Sequence, residues 1–315
     1  MRFPLLQVGL ATTLALTLTA CGGEAGGSAD SIAADERTVV IEHAQGSTTV
    51  PVNPKKVITF DLASLDTLDA LDVPVTGVAK GNLPSYLDKY NGDEYVNAGT
   101  LFEPDFEAVN AAEPDLIVVA NRSAKAYGEL SKIAPTVDLT LDWTSFKSSF
   151  VTNTEKLGTI FDKQDEVKAA LADIDTKISK AKESATDAGR GLIVLTSAGE
   201  VTAFGPGSRF GWLHDEFGVT PAIADVEAAT HGDPVSFEFI LKTNPDWLFV
   251  VDRDAATGEG TETAKEVLDN EVVARTTAWS KQQVVYLDPA PWYIVMSGLT
   301  AVNQMIDQVA TGLAK

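Results

Sequence analysis

The segments FEAVNAAEPDLIVVANR (106–122) and FEFILKTNPDWLFVVDR (237–253) carry Phe-Glu, Pro-Asp and Arg at matching places. Every matched pair is separated by the same 131 residues that separate Phe106 from Phe237. In both copies a helix-forming stretch leads to a Pro-Asp turn, an apolar run of strand character, and an arginine. Shared context of this kind marks an internal repeat, and so two lobes of similar design. Glu107 and Glu238 fall at the start of the two helices, where a negative charge suits the helix dipole. Arg122 and Arg253 fall just past the carboxyl end of the two strands, the edge at which open α/β sheets bind ligands.

Around the first copy, VITF (57–60), VPVTGVA (73–79) and DLIVVA (115–120) are short apolar runs. LASLDTLDALDV (62–73) repeats leucine at helical spacing between them. Around the second copy, GLIVLTS (191–197), VTAFG (201–205), WLFVVDR (247–253) and VVYLD (284–288) read as strands, FGWLHDEFGV (210–219) as a helix, and Ser297–Ala314 as the last helix. Strands alternating with helices predict an α/β fold: two Rossmann-like lobes with mostly parallel central sheets and a ligand cleft between them. TVVIEHAQGSTTVPV (38–52) predicts a small edge hairpin turning at Gln45-Gly46-Ser47. Between the lobes Phe150, Leu157, Ile160, Phe161, Val167, Leu171, Ile174 and Ile178 keep helical spacing, which predicts one long joining helix and small relative motion of the lobes. The expected boundaries are an N-terminal lobe over 37–143, a linking region over 144–187 and a C-terminal lobe over 188–315.

The opening residues read as an address. Phe3 to Ala20 carries no charge and ends at Leu18-Thr19-Ala20-Cys21, which holds the chain's single cysteine. The apolar part is short for a membrane span, and Gly22-Gly23 continues a helix poorly. Residues 1–20 are expected to be a lipoprotein signal peptide, since Leu18–Cys21 resembles the bacterial lipobox, with Cys21 acylated and residues 21–36 a flexible tether. A lone exposed thiol on an exported protein would be reactive, which favours lipidation. That places the protein on the outer face of the cell membrane, held by a lipid anchor at Cys21. The formal net charge is -21. Such acidity disfavours a nucleic-acid partner and requires any anion site to gather its cations locally.

The stretches NRSAKAYGELSKIAPT (121–136), GPGSRFGWLHDEFGV (205–219), HGDPVSFEFILKTNPDWLFVVDRD (231–254) and VVYLDPAPWY (284–293) resemble the helical-backbone class of ABC-importer binding proteins. Within that class they are similar to ferric-catecholate receptors of the CeuE and YclQ type. The resemblance implies a ferric siderophore as transported ligand, with no intrinsic cofactor and no enzymatic activity. It implies an arginine triad at Arg122, Arg209 and Arg253. It also implies His231 and Tyr293 as iron donors when the siderophore supplies fewer than six, and Glu107 and Glu238 as contacts to a permease dimer. One equivalent charge from each lobe suits a two-fold transporter. Trp292, beside Tyr293, reads as core packing or as an aromatic rim for catechol rings. The chain is expected to act as a monomer.

Chemistry independent of the resemblance points the same way. A ferric tris-catecholate carries about three negative charges, and arginine is the always-charged, weakly hydrated donor that suits it. At an effective dielectric near 20 and about 5 Å, each unit pair is worth roughly 3 kcal/mol before desolvation. Phenolate is a hard oxygen donor fit for ferric iron. Haem, cobalamin and hydroxamate complexes stay open as ligands, although a neutral hydroxamate complex needs no three converging arginines. An extracytoplasmic hydrolase using His231 with Asp225 or Asp233 is the rival class, but the sequence has no HExxH and no G-x-S-x-G. His43 and His214 lack metal spacing and read as structural.

Overall fold

Alternation of inward and outward side chains sets the first element, a hairpin that buries Ile41 and Val50 and leaves Val40 exposed. In the computed structural model, which describes residues 37–223 and 232–314, β1 (Thr38–His43) pairs antiparallel with β2 (Gly46–Pro51). The turn is Ala44–Gln45, earlier than the expected Gln45–Ser47, because Gly46 (φ 126°) and Ser47 already pair with His43 and Glu42. Glycine reaches a backbone region closed to other residues, so the chain re-enters the ladder at once. The signal peptide, Cys21 and the tether lie outside the described residues, as does His231.

The first large sheet contains β3 (Val57–Thr59), β4 (Gly77–Val78), β5 (Val96–Asn97), β6 (Leu116–Val119) and β7 (Thr136–Asp138). All pairings are parallel, in the order β5-β4-β3-β6-β7. The chain winds outward from β3 to one side and from β6 to the other, which opens a crevice between the carboxyl ends of β3 and β6. The second sheet contains β8 (Arg190–Ser197), β9 (Glu200–Phe204), β10 (Thr220–Pro221), β11 (Asp233–Val235), β12 (Trp247–Asp252) and β13 (Val284–Leu287). Its order is β11-β9-β8-β12-β13, with β10 beside β8. The β8–β12 and β12–β13 pairs are parallel, while β9 and β11 add antiparallel neighbours. Along β12 the side chains alternate between two cores: Trp247, Phe249 and Val251 pack into one, Leu248 and Val250 into the other.

The repeat holds atom by atom. Helices Phe106–Ala112 and Phe237–Thr243 begin on N-caps Asp105 and Ser236, which accept from Ala108 N and Phe239 N. They end on the left-handed residues Glu113 (φ 49°) and Asn244 (φ 43°). The aspartate of each Pro-Asp pair then fastens the neighbouring strand: Asp115 accepts from Lys55 N (2.8 Å) and Lys56 N (2.9 Å), and Asp246 from Arg190 N (2.8 Å).

The linking region is helical but forms two helices, Phe146–Ile160 and Gln164–Ala185, rather than the single one expected. Asp162 takes φ 53°, and Lys163 N donates to Gly158 O at 2.8 Å, the closing bond of a Schellman turn. Asn53 N caps Ile160 O, and the Asp162 carboxylate is held by Arg37 and by Asn53. Gly158 lets the helices cross closely, since a Cβ there would stand 2.9 Å from Val167 Cγ2. The helix expected over 210–219 shrinks to one turn, Trp212–Asp215, closed at Gly218 (φ 71°).

A second connection joins the halves. The final helix, Leu299–Leu313, packs on Gln164–Ala185 and on Leu62–Ala70. Asp66 of the latter accepts from Thr300 N (2.7 Å), Ala301 N (3.1 Å) and the Tyr86 hydroxyl (2.7 Å), and Thr67 Oγ1 accepts from Leu299 N. The carboxylate of an N-terminal helix thus caps the C-terminal one, satisfying N–H groups that every helix start leaves open.

Candidate functional site: a cationic cleft around Tyr293

Three segments far apart in sequence meet at the carboxyl ends of β3 and β6. Past β6, Asn121 adopts φ 48°, donates its N–H to Thr140 Oγ1, and accepts from Leu141 N on its side chain. This locked left-handed corner sends Arg122 across the crevice. Past β9, the loop Gly205–Gly211 closes on itself through Ser208 Oγ to Gly205 O (2.6 Å) and presents Arg209. Gly211 cannot carry a side chain, because a Cβ would lie 2.6 Å from Gly205 O. The third segment, Ala290–Val295, is a single π-helical turn with Met296 N bonded to Pro291 O. Such turns recur at functional sites.

Tyr293, on that turn, is where the arginines meet. Its carbonyl oxygen accepts from Arg209 Nη2 at 2.7 Å and from Arg122 Nη2 at 3.2 Å. Its ring lies against both guanidinium groups, with centroid distances of 4.3 Å to Arg209 and 5.7 Å to Arg122. Its hydroxyl accepts from Arg253 Nε at 3.1 Å. Arg253 reaches it from the carboxyl end of β12 and also donates to Ser197 Oγ at the end of β8. A cavity of about 470 Å³ opens here, lined by Asp61, Phe102, Arg122, Trp143, Arg209 and Tyr293 among others. Arg253 stands behind the Tyr293 hydroxyl and not in the lining of this cavity.

The electrostatics are uneven. Burial, reinforced by the charge of Arg122, pushes Arg209 down to about 10, still cationic at neutral pH. Burial raises the Tyr293 phenol, but the charges of Arg209, Arg253 and Arg122 outweigh it and hold the phenol below its usual value. Asp61, on the cavity floor, is raised by burial against the opposing pull of Ser64, Ala63 and Arg122. Among the described residues no carboxylate lies within 4.0 Å of Arg122 or Arg209, whereas Arg253 has two, Asp254 at 3.7 Å and Glu259 at 3.3 Å.

Of the residues singled out in the sequence, Arg122, Arg209, Arg253 and Tyr293 come together. Trp292 does not join them. It is 0% exposed, packs 5.8 Å from the Trp212 ring, and is core. The aromatic wall is instead Phe102 and Trp143, both missed in the sequence; Arg209 lies 5.8 Å from the Trp143 ring, and Lys125 lies 5.7 Å from the Phe102 ring. A Trp just before a helix and a Phe in a polar loop carry no local mark of a cleft. Glu107 and Glu238 are both exposed in the first turns of the repeated helices. His43 bonds Thr48 Oγ1 and His214 bonds Val219 O, both within the scaffold.

Two lobes with parallel strands, joined by helices and opening a cationic cleft at their strand ends, define a solute-binding protein of the helix-linked kind. The family model described as periplasmic binding protein matches residues 57–291, and the chain belongs to that family. It is 44% identical to the petrobactin-binding protein YclQ of Bacillus subtilis over 100% of this chain and 99% of the relative. It is 33% identical to the ferric-anguibactin-binding protein FatB of Vibrio anguillarum, over 98% and 97% of the two chains. The crystal structure of YclQ superposes with a TM-score of 0.86 at 45% identity, covering 89% of this chain and 99% of that one. The periplasmic catecholate-siderophore binding protein VctP of Vibrio cholerae gives 0.83 at 35%, covering 87% and 100%.

Proposed function

We propose that this protein captures a ferric siderophore of the catecholate type outside the cytoplasm and delivers it to an ABC importer. The observation that carries this reading is the pair of guanidinium groups, Arg122 and Arg209, converging on one cavity with no carboxylate within 4.0 Å of either among the described residues. Elsewhere the chain is strongly acidic, with a formal net charge of -21. Uncompensated buried cations are costly unless a ligand completes them, and a multiply charged iron chelate does so. The similarity to petrobactin-binding YclQ and ferric-anguibactin-binding FatB supports this reading, and the similarity to the catecholate-siderophore binding protein VctP supports the catecholate class. Screening over about 8 to 10 Å mutes distant carboxylates, so the local cations decide the sign of the site.

The rest of the reading follows. Cys21 carries a lipid anchor that holds the mature chain, from residue 21, at the outer face of the membrane, with 21–36 as its tether. The lobes are 37–143 and 188–315, linked through 144–187. Glu107 and Glu238 engage a two-fold permease, one from each lobe, and the receptor works as a monomer. His231 and Tyr293 complete the iron shell of a siderophore with four donors.

The test is a titration of the mature domain, followed by tryptophan quenching, with ferric tris-catecholate and ferric trihydroxamate complexes. Sub-micromolar quenching by the tris-catecholate is expected. Sub-micromolar quenching by the trihydroxamate alone would overturn the ligand class.

A further inference from the structure

The geometry points to Glu259 as a built-in competitor of the ligand, a carboxylate that occupies Arg253 until a sufficiently anionic iron complex displaces it. This rests on the ligand class proposed above. Arg253 sits between two acids of different character. Asp254 is buried and fixed: it accepts from Ala198 N at 2.7 Å and from Ser197 Oγ at 3.4 Å, and Gly260 closes so tightly on it that a Cβ there would meet its Oδ2 at 2.6 Å. Glu259 is 67% exposed, and its contact is the ion pair with Arg253 Nη2 at 3.3 Å. The flanking residues are Gly258 (φ 71°) and Gly260 (φ 94°), in backbone conformations that side-chain-bearing residues rarely adopt. They turn the chain back past the end of β12, which hangs Glu259 over the arginine on a pivot.

An exposed ion pair of this kind is weak and easily exchanged. A ligand of about three negative charges gains more from Arg253 than Glu259 does, whereas a neutral complex has no charge with which to displace it. Glu259 therefore taxes every ligand that needs Arg253. It discriminates by charge and re-pairs with Arg253 when the complex departs to the permease. Arg122 and Arg209 have no such occupant among the described residues.

The experiment compares wild type, Glu259→Gln and Glu262→Gln for the ferric complex of a hexadentate tris-catecholamide, at low and high salt. Glu262 is a fair control, because it is exposed, three residues away, and makes no ion pair among the described residues. Glu259→Gln is expected to bind about three- to tenfold more tightly, through slower release, with the gain shrinking as salt rises. Glu262→Gln is expected to match wild type. Equal or weaker binding by Glu259→Gln, or the same gain in Glu262→Gln, overturns the competitor while leaving the ligand class standing. Failure of wild type to bind the complex overturns the ligand class, and the competitor with it.

Discussion

Arg209 and Arg253 both touch Tyr293, yet their surroundings are opposite. Arg209 is half-buried and the more desolvated of the two, bonds a carbonyl and the Met296 sulfur, and has no acid partner within 4.0 Å among the described residues; Arg253 has a side chain 35% exposed and is shared between Asp254 and Glu259. The contrast teaches that a guanidinium group in a cleft is not by itself a binding determinant. What it can give a ligand is the charge its own neighbours leave unspent, and burial magnifies that remainder.

The sharpest break of this comparison is to remove each arginine in turn. Arg209→Met is expected to weaken ferric tris-catecholate binding by a hundred- to a thousandfold, about 3 to 4 kcal/mol, because it deletes a desolvated, unneutralised cation. Arg253→Met is expected to cost about tenfold or less. Equal losses, measured by quenching titration, would mean that the acid partners of Arg253 are irrelevant.

A scaffold control comes next in size. Burial pushes Asp66 from 3.8 up to about 6, despite the bonds it accepts from Tyr86, Thr300 and Ala301. Because the folded value is raised, this carboxyl binds a proton more readily in the folded chain than in the unfolded one. Its contribution to stability therefore falls as pH rises from about 4 to about 6, by up to about 3 kcal/mol, and is flat above that. Urea unfolding of wild type and Asp66→Asn should move in favour of the variant across that window. A gap independent of pH would show that Asp66 keeps an ordinary value and that the clasp is charged throughout.

The smallest expected effect separates the two ends of Tyr293. Tyr293→Phe removes the hydroxyl bonded to Arg253 but keeps the carbonyl that Arg122 and Arg209 share. For a six-donor siderophore the loss should be below about fivefold, the scale of one hydrogen bond. A four-donor siderophore should lose tenfold or more, because the phenolate is then needed by iron. Equal losses for the two ligands would make Tyr293 a wall residue.

Much of the scaffold was legible in order along the chain. The Pro-Asp turns at Asp115 and Asp246 and the strand-end arginines repeat because each is a contract between residues close in sequence or placed at one fixed point of a motif, and the structure adds the caps Asp105 and Ser236 before the repeated helices. The break at Asp162 carries no local signal, because an aspartate holds the left-handed position that a glycine would have marked, while the apolar stripe runs on through Phe161 and Val167. Trp292 and Tyr293 are neighbours in the chain, but one is core and the other is the hub of the cleft. Only a π-helical turn packed against Trp212 makes that distinction.

Two α/β lobes of one design, with arginines set at their strand ends, follow from the order of residues, since hydrophobic periodicity and turn residues act over a few positions. Which of those charges lack an acid partner among the described residues depends on packing between distant segments. Arg209 meets its partners 84 and 87 residues away, and Arg122 reaches across 171. Burial and neutralisation are sums over such distant neighbours, and no local pattern encodes them.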